Sequence, residues 1–136
     1  MSRELELVKS IYDDWAEGDF TSAKWADPQI EFIMHGGLNS GRWTGVEEMA
    51  GAWAAMLRAW DDLRAIPDEF RELGDGRVLV FLRNEGHGKG SGIDIHGIAA
   101  KSANVFTVRD GKVTRLELYW DRTEAMADLG RHRETP

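Results

Sequence analysis

The residues of this chain with the types and spacing for chemistry are few. Arg83 and Glu85 stand two apart in a strand-like stretch, so they share a face, either as a surface ion pair or as a proton carrier with its partner. Asp94 and His96 have the same spacing. Same-face neighbours on a strand lie roughly 7 Å apart, so a catalytic dyad there needs a bulge, and a solvated edge is the plainer reading. His35 is an isolated candidate base or ligand, and His132 sits in the terminal tail. His87 and Lys89 lie in Gly86–Gly92 (GHGKGSG), which has the glycines of a phosphate loop without its GxxxxGK[ST] spacing. Histidines and carboxylates nowhere fall at metal-ligand spacing, so no metal is expected, and no cofactor fingerprint is present. With no cysteine, thiolate chemistry and disulfides are excluded.

Composition narrows the classes further. Against 17 basic residues stand 24 acidic ones, a net charge of −7. That balance, without a basic run, argues against nucleic acid and against an anionic membrane surface. The N-terminus carries Glu4 and Glu6 where a secretory signal needs basic then apolar residues, and no stretch approaches the roughly 20 apolar residues that span a bilayer. A cytoplasmic protein is the expectation. The 136 residues contain no linker or repeat, so residues 1–136 read as one domain. Six tryptophans, Trp15, Trp25, Trp43, Trp53, Trp60 and Trp120, form either an aromatic core or the walls of a cavity.

The elements that must position these residues follow from periodicity. Leu5, Val8, Ile11, Tyr12 and Trp15 recur at steps of three and four, predicting a helix over 3–17 that Gly18 ends. Asp19 is placed to cap a short second helix carrying Phe20 and Trp25, which Asp27-Pro28 stops. Ile30, Phe32 and Met34 alternate as a strand, followed by a glycine-rich loop from His35 to Arg42. Thr44 and Glu47 have capping-box spacing before a helix striped by Val46, Met49, Trp53, Met56, Leu57 and Trp60.

The period then changes to two. Residues 63–73 read as a strand that Pro67 confines to an edge or a bulge, and Gly74-Asp75-Gly76 as a hairpin turn. Val78–Leu82 is apolar throughout, as in a strand covered on both faces. A hairpin tip at Gly86–Gly92 leads to a strand from Ile93 to Val108, a turn at Arg109-Asp110-Gly111 and a strand from Val113 to Trp120. Asp121 and Glu124 open a terminal helix. Helices first, then an antiparallel meander, make an α+β domain.

In this order WAEGDF (Trp15–Phe20), GRWTGVEEM (Gly41–Met49), EGHGKGSG (Glu85–Gly92), VFTVRDGKVTRLEL (Val105–Leu118) and YWDRTEA (Tyr119–Ala125) resemble the SnoaL-like branch of the nuclear transport factor 2 superfamily. The resemblance implies a curved antiparallel sheet wrapped around the N-terminal helices as a cone with an apolar pocket, often paired into a homodimer through its convex face. The two-sided run Val78–Leu82 agrees with such a dimer.

Family chemistry carries over poorly. The ketosteroid isomerase pattern needs a tyrosine, an aspartate base and a protonated aspartate, and the matching positions here are Ile11 (beside Tyr12), Phe32 and Asn104. The limonene epoxide hydrolase pattern finds Arg83-Asn84-Glu85 for its Arg-x-Asp pair, but Leu118, Phe32 and Met34 elsewhere. The acid or histidine of SnoaL-type cyclases falls on Asn104, which hydrogen-bonds but does not titrate.

The expected site is therefore a pocket for a small apolar molecule with a polar oxygen, walled by Tyr12, Trp15, Phe32, Met34, Trp53, Leu57, Phe106, Leu118 and Trp120, with Asn104 as anchor. Catalysis there would be cofactor-independent isomerase, cyclase or hydrolase chemistry, with a desolvated Glu85 carrying the proton beside Arg83. The alternative is a non-catalytic binding or assembly module of the same fold.

Overall fold

The computed structural model describes residues 2–35, 41–58, 60–88 and 101–134. Lys89, Asp94, His96 and the expected strand segment 93–100 lie outside the described residues, as do the side chains of Met56, Trp60, His87 and His132.

Helix α1 spans Arg3–Trp15 and buries the predicted stripe Val8, Ile11, Tyr12 and Trp15. Ser2 caps it, its Oγ accepting from Leu5 N at 3.1 Å. At the other end Gly18 takes φ +84°, and the bonds Gly18 N to Trp15 O and Asp19 N to Asp14 O close the helix. The expected second helix is absent; residues 19–25 are irregular. Asp19 does accept from Thr21 N, but the Trp25 indole donates to Ser22 O at 2.9 Å, and that carbonyl is the one a continuing helix would give to Ala26 N. The Ala26 amide turns to Ala23 O instead, and the chain leaves in extended form.

Strand β1 runs Ala26–His35, longer than expected, with a register shift between Ala26 and Glu31 that absorbs Pro28. Strand β2, Gly41–Thr44, pairs with it where a loop was expected; four residues are too few to show a period. Helix α2 spans Val46–Leu57. Its box is shifted by one residue: Glu48, not Glu47, reaches back, its Oε1 accepting from Thr44 N at 3.1 Å, and Gly45 O accepts the first helical bond.

Strand β3, Trp60–Gly74, takes both fates that proline allows, since it is the sheet edge and its register slips between Pro67 and Glu69. Strands β4 (Arg77–Gly88), β5 (Lys101–Arg109) and β6 (Lys112–Tyr119) follow. Both tight turns are Asp-Gly pairs with positive φ at each central residue: Asp75 and Gly76 at 53° and 76°, Asp110 and Gly111 at 51° and 78°. At Gly76 a side chain has no room as well, because a Cβ would stand 2.5 Å from Val108 O. Helix α3, Arg122–Glu134, starts from Asp121, whose Oδ1 accepts from Thr123 N at 2.8 Å.

The strand order is β2-β1-β6-β5-β4-β3. The meander β3 to β6 is antiparallel as expected, but β1 joins β6 in parallel, so the sheet is mixed. Its concave face meets α1 and α2 in the main core, where Phe32, Val78, Val80, Phe106 and Leu116 are buried. The convex face of β4 and β5, carrying Leu79, Phe81, Ala103 and Val105, packs with Tyr119 and with Ala125 and Leu129 of α3. The second apolar face of Val78–Leu82 is thus covered by the chain's own terminal helix, and the run no longer argues for a second copy. Among the described residues no helix is long and apolar enough to cross a membrane.

Candidate functional site

Facing pairs in the sheet set the site in rows. Leu118 pairs with Asn104, which pairs with Val80; one step nearer the closed end, Phe32, Leu116, Phe106 and Val78 form the next row. Toward the open end Ser102 pairs with Leu82, and Asn84 lies two residues further along β4 on the same face. A cavity opens over the Asn104 and Ser102 rows, with Trp15 and Phe20 on one side, Trp53 of α2 on another, and Leu63 and Ala65 of β3 closing the edge. It holds about 420 Å³ of empty space counted out to its mouth, of which about 20 Å³ is reachable by the centre of a water molecule. That is room for roughly one water, so a larger occupant needs its rings to shift.

Among the expected wall residues, Trp15, Trp53, Leu118, Trp120 and the anchor Asn104 line this cavity. Phe32, Met34 and Phe106 do not. Their rows lie deeper or further across, where the sheet is filled by α1 and α2, leaving them 0%, 2% and 0% exposed as core. Tyr12 is core too, packed edge-on against Trp15, Phe70 and Phe106. Leu57 lines an outer groove between residues 20–25 and α2, which shares Trp15, Phe20 and Trp53 with the inner cavity.

Arg83 and Glu85 fall on the opposite face. Leu82 and Asn84 face the cavity, so alternation sends their neighbours outward, where Arg83 Nε donates to Asp68 Oδ1 at 2.7 Å and its guanidinium lies 3.7 Å from Glu85. The Glu85 side chain is 37% exposed, so the desolvation that a proton carrier needs is missing. Asn84 and Ser102, which sequence reasoning passed over, are the inward polar residues. The available signal was their parity with Leu82 and Asn104.

The polar side chains among the described lining residues are neutral. Asn84 Nδ2 donates to Ser102 Oγ at 2.9 Å, and that hydroxyl donates to Trp120 O at 3.3 Å. Among the described lining residues no histidine or lysine touches Ser102. Asn104 Nδ2 donates to the Tyr12 hydroxyl at 2.7 Å, while Asn104 Oδ1 and Trp53 Nε1 are buried without a partner among the described residues. Turned end for end, the amide would give the Tyr12 hydroxyl an acceptor and leave Nδ2 in the place of Oδ1. Either way one amide atom is left over.

Tyrosine protons are firmly held. Burial pushes the Tyr12 hydroxyl well above its ordinary value, and the Asn104 bond offsets only part of this. At the rim, Tyr119 donates to Asp128 Oδ2 at 2.8 Å; burial first, then that bond and the charge of Glu117, raise it far as well. On the same outer side His35 stacks on Tyr119 at 4.2 Å and lies 3.0 Å from Glu117 Oε1, so this histidine belongs to the convex face and not to the cavity. No cluster among the described residues could hold a metal ion.

The sequence profile of the SnoaL-like domain matches residues 8–116. No curated protein sequence matches the chain. Solved structures are similar over most of its length. An NTF2-like protein of unknown function from Burkholderia pseudomallei is 20% identical, with 93% of this chain and 97% of that one covered and a TM-score of 0.76. TerC, co-crystallised with polyporic acid, is 27% identical over 94% and 98%, at 0.73. A putative SnoaL-like polyketide cyclase from Jannaschia is 20% identical over 92% and 90%, at 0.68. With four-fifths of its length matched by the profile and the same mixed cone of sheet and helices, this chain belongs to the SnoaL-like domain family.

Proposed function

We propose that the protein binds a small, neutral, mainly apolar molecule with a polar oxygen in the cavity over Asn104. The observation that carries this is a buried amide, 1% exposed, with one polar atom unpaired against apolar walls. An unpaired buried polar atom costs about 1–3 kcal/mol, which a hydrogen-bonding occupant would offset. The co-crystallisation of the similar protein TerC with polyporic acid supports a small-molecule occupant.

The reading favours binding over acid–base catalysis. Among the described lining residues no carboxylate, imidazole, ammonium or guanidinium is present, and both nearby tyrosines hold their protons. Catalysis by Glu85 with Arg83 would require reaching through the sheet. A homodimer would meet the outer side of α3, where Met126 is 44% exposed, because that helix covers the strand face. Sedimentation checks the assembly: a 15.3 kDa species at micromolar concentration rules the dimer out.

The binding test uses acetophenone as probe. Saturating probe is expected to raise the melting temperature of the wild type and quench its tryptophan fluorescence. The cavity-filling change Ala65→Leu should abolish both effects, since Ala65 lines the space and is 6% exposed. Equal responses in the two proteins would place the occupant elsewhere.

A further inference from the structure

Two residues that line one cavity each carry a buried polar atom without a partner among the described residues, and they stand on different elements. Asn104 comes from β5 and is 1% exposed; Trp53 comes from α2 and is 9% exposed. Neither Asn104 Oδ1 nor Trp53 Nε1 has a partner among the described residues. The third such atom, Nε of Arg115, belongs to a residue that does not line this cavity. The indole packs among Phe32 at 5.7 Å, Trp15 at 5.1 Å and Phe20 at 5.5 Å between ring centroids.

The two atoms differ in what they accept. A primary amide presents an oxygen or, turned over, an N–H₂, so Asn104 can meet a hydroxyl or a carbonyl. An indole N–H only donates. We infer that Trp53 is the specificity-determining residue of the cavity, selecting neutral ligands that carry an acceptor oxygen, a carbonyl or ether, for its Nε1–H, with Asn104 bonding a second polar group.

This rests on the cavity reading above and adds the chemical class of the occupant. A neutral oxygen fits better than a carboxylate or phosphate, since the described lining offers no cation to balance an anion.

The test compares acetophenone with α-methylstyrene, which has nearly the same shape and lacks the oxygen. In wild-type protein labelled with ¹⁵N, one indole N–H resonance is expected to move downfield with acetophenone and to stay with α-methylstyrene. Trp53→Phe keeps a ring and deletes the donor. It should lower the ratio of acetophenone to α-methylstyrene affinity by about tenfold, the worth of one hydrogen bond, because the lost ring contact acts on both probes and cancels in the ratio. An unchanged ratio, or no indole shift in the wild type, overturns the inference while leaving the cavity in place. The resonance experiment decides the matter even where Trp53→Phe folds poorly. If neither probe binds the wild type, the cavity reading itself fails, and the inference with it.

Discussion

Both faces of the sheet are buried where β4 and β5 pair, yet they hold different kinds of residue. Among the described residues the concave face is neutral, with Asn84, Ser102 and Asn104 as its buried polar side chains among aromatic and aliphatic groups. On the convex face, charge is concentrated. Asp68 receives Arg83 at 2.7 Å and Arg122 at 2.8 Å, Arg122 also donates to Leu82 O and Ser102 O, and both Arg71 and Arg122 lie over the Phe81 ring. Further along, His35, Arg115, Glu117, Tyr119 and Asp128 form a second charged group. Among the described residues, Arg83, which looks catalytic in sequence, bonds Asp68 beside the Pro67 bulge, and Arg122 ties α3 to the same carboxylate. The described residues that line the cavity carry no charge.

The sharpest way to break this comparison is to cut one residue from each face at adjacent positions. Phe106 is fully buried in the concave core, and Val105 is 1% exposed in the convex cluster. Phe106→Ala should cost about 3–5 kcal/mol, from lost transfer energy and the void left under Asn104. Val105→Ala removes fewer atoms and should cost less. It should also leave acetophenone binding unaltered, because Val105 does not border the cavity. Chemical denaturation with a binding titration reads both. Equal losses of binding would mean that the two faces are not independent.

Asn104→Leu comes next in size. The Tyr12 hydroxyl, fully buried, would be stranded. A loss of about 1–3 kcal/mol is expected, and Tyr12→Phe in the same chain should recover most of it by removing the orphaned hydroxyl. Failure of the double variant to recover would show that Tyr12 and Asn104 are not energetically coupled.

The elements and turns were legible in sequence because their signals are local. The stripe of α1, the two Asp-Gly turns and the proline bulge each announce themselves within a few residues. Depth in the cone does not. Whether Phe106 walls a cavity or lies beneath it depends on how far Tyr12 of α1 reaches toward β5, a contact between positions 92 residues apart. Face parity was lost for a different reason. The run Val78–Leu82 is apolar on both sides, so nothing in it marks which side is inner, and Arg83 and Glu85 could be placed on either. The amide of Asn84 between them is the marker, since an uncharged polar group is buried at less cost than an ion. The missing helix at 19–25 turned on a tertiary choice, the Trp25 indole taking a helical carbonyl.

The smallest effect belongs to the convex charges, and it separates the faces by pH and salt. Burial pushes the Asp68 carboxyl up, but bonds and charges from Arg83 and Arg122 outweigh this and hold it below its ordinary 3.8. A carboxyl lowered on folding adds stability above its unfolded value and loses it as pH falls through the folded one. Wild-type protein should therefore lose the contribution of this site only below about pH 4, whereas Asp68→Asn lacks it at every pH. At neutral pH the variant should be less stable by about 1 kcal/mol or less, because the Asp68 side chain is 31% exposed and solvent screens its pairs. The gap between the two melts should narrow toward pH 3, and should shrink at 1 M salt, where the screening length falls to about 3 Å. Asn104→Leu, a neutral loss inside the cone, should keep its full deficit under both conditions. A deficit for Asp68→Asn that ignores salt and acid would mean that Asp68 holds the bulge by geometry and not by charge, and the contrast between the two faces would have to be redrawn.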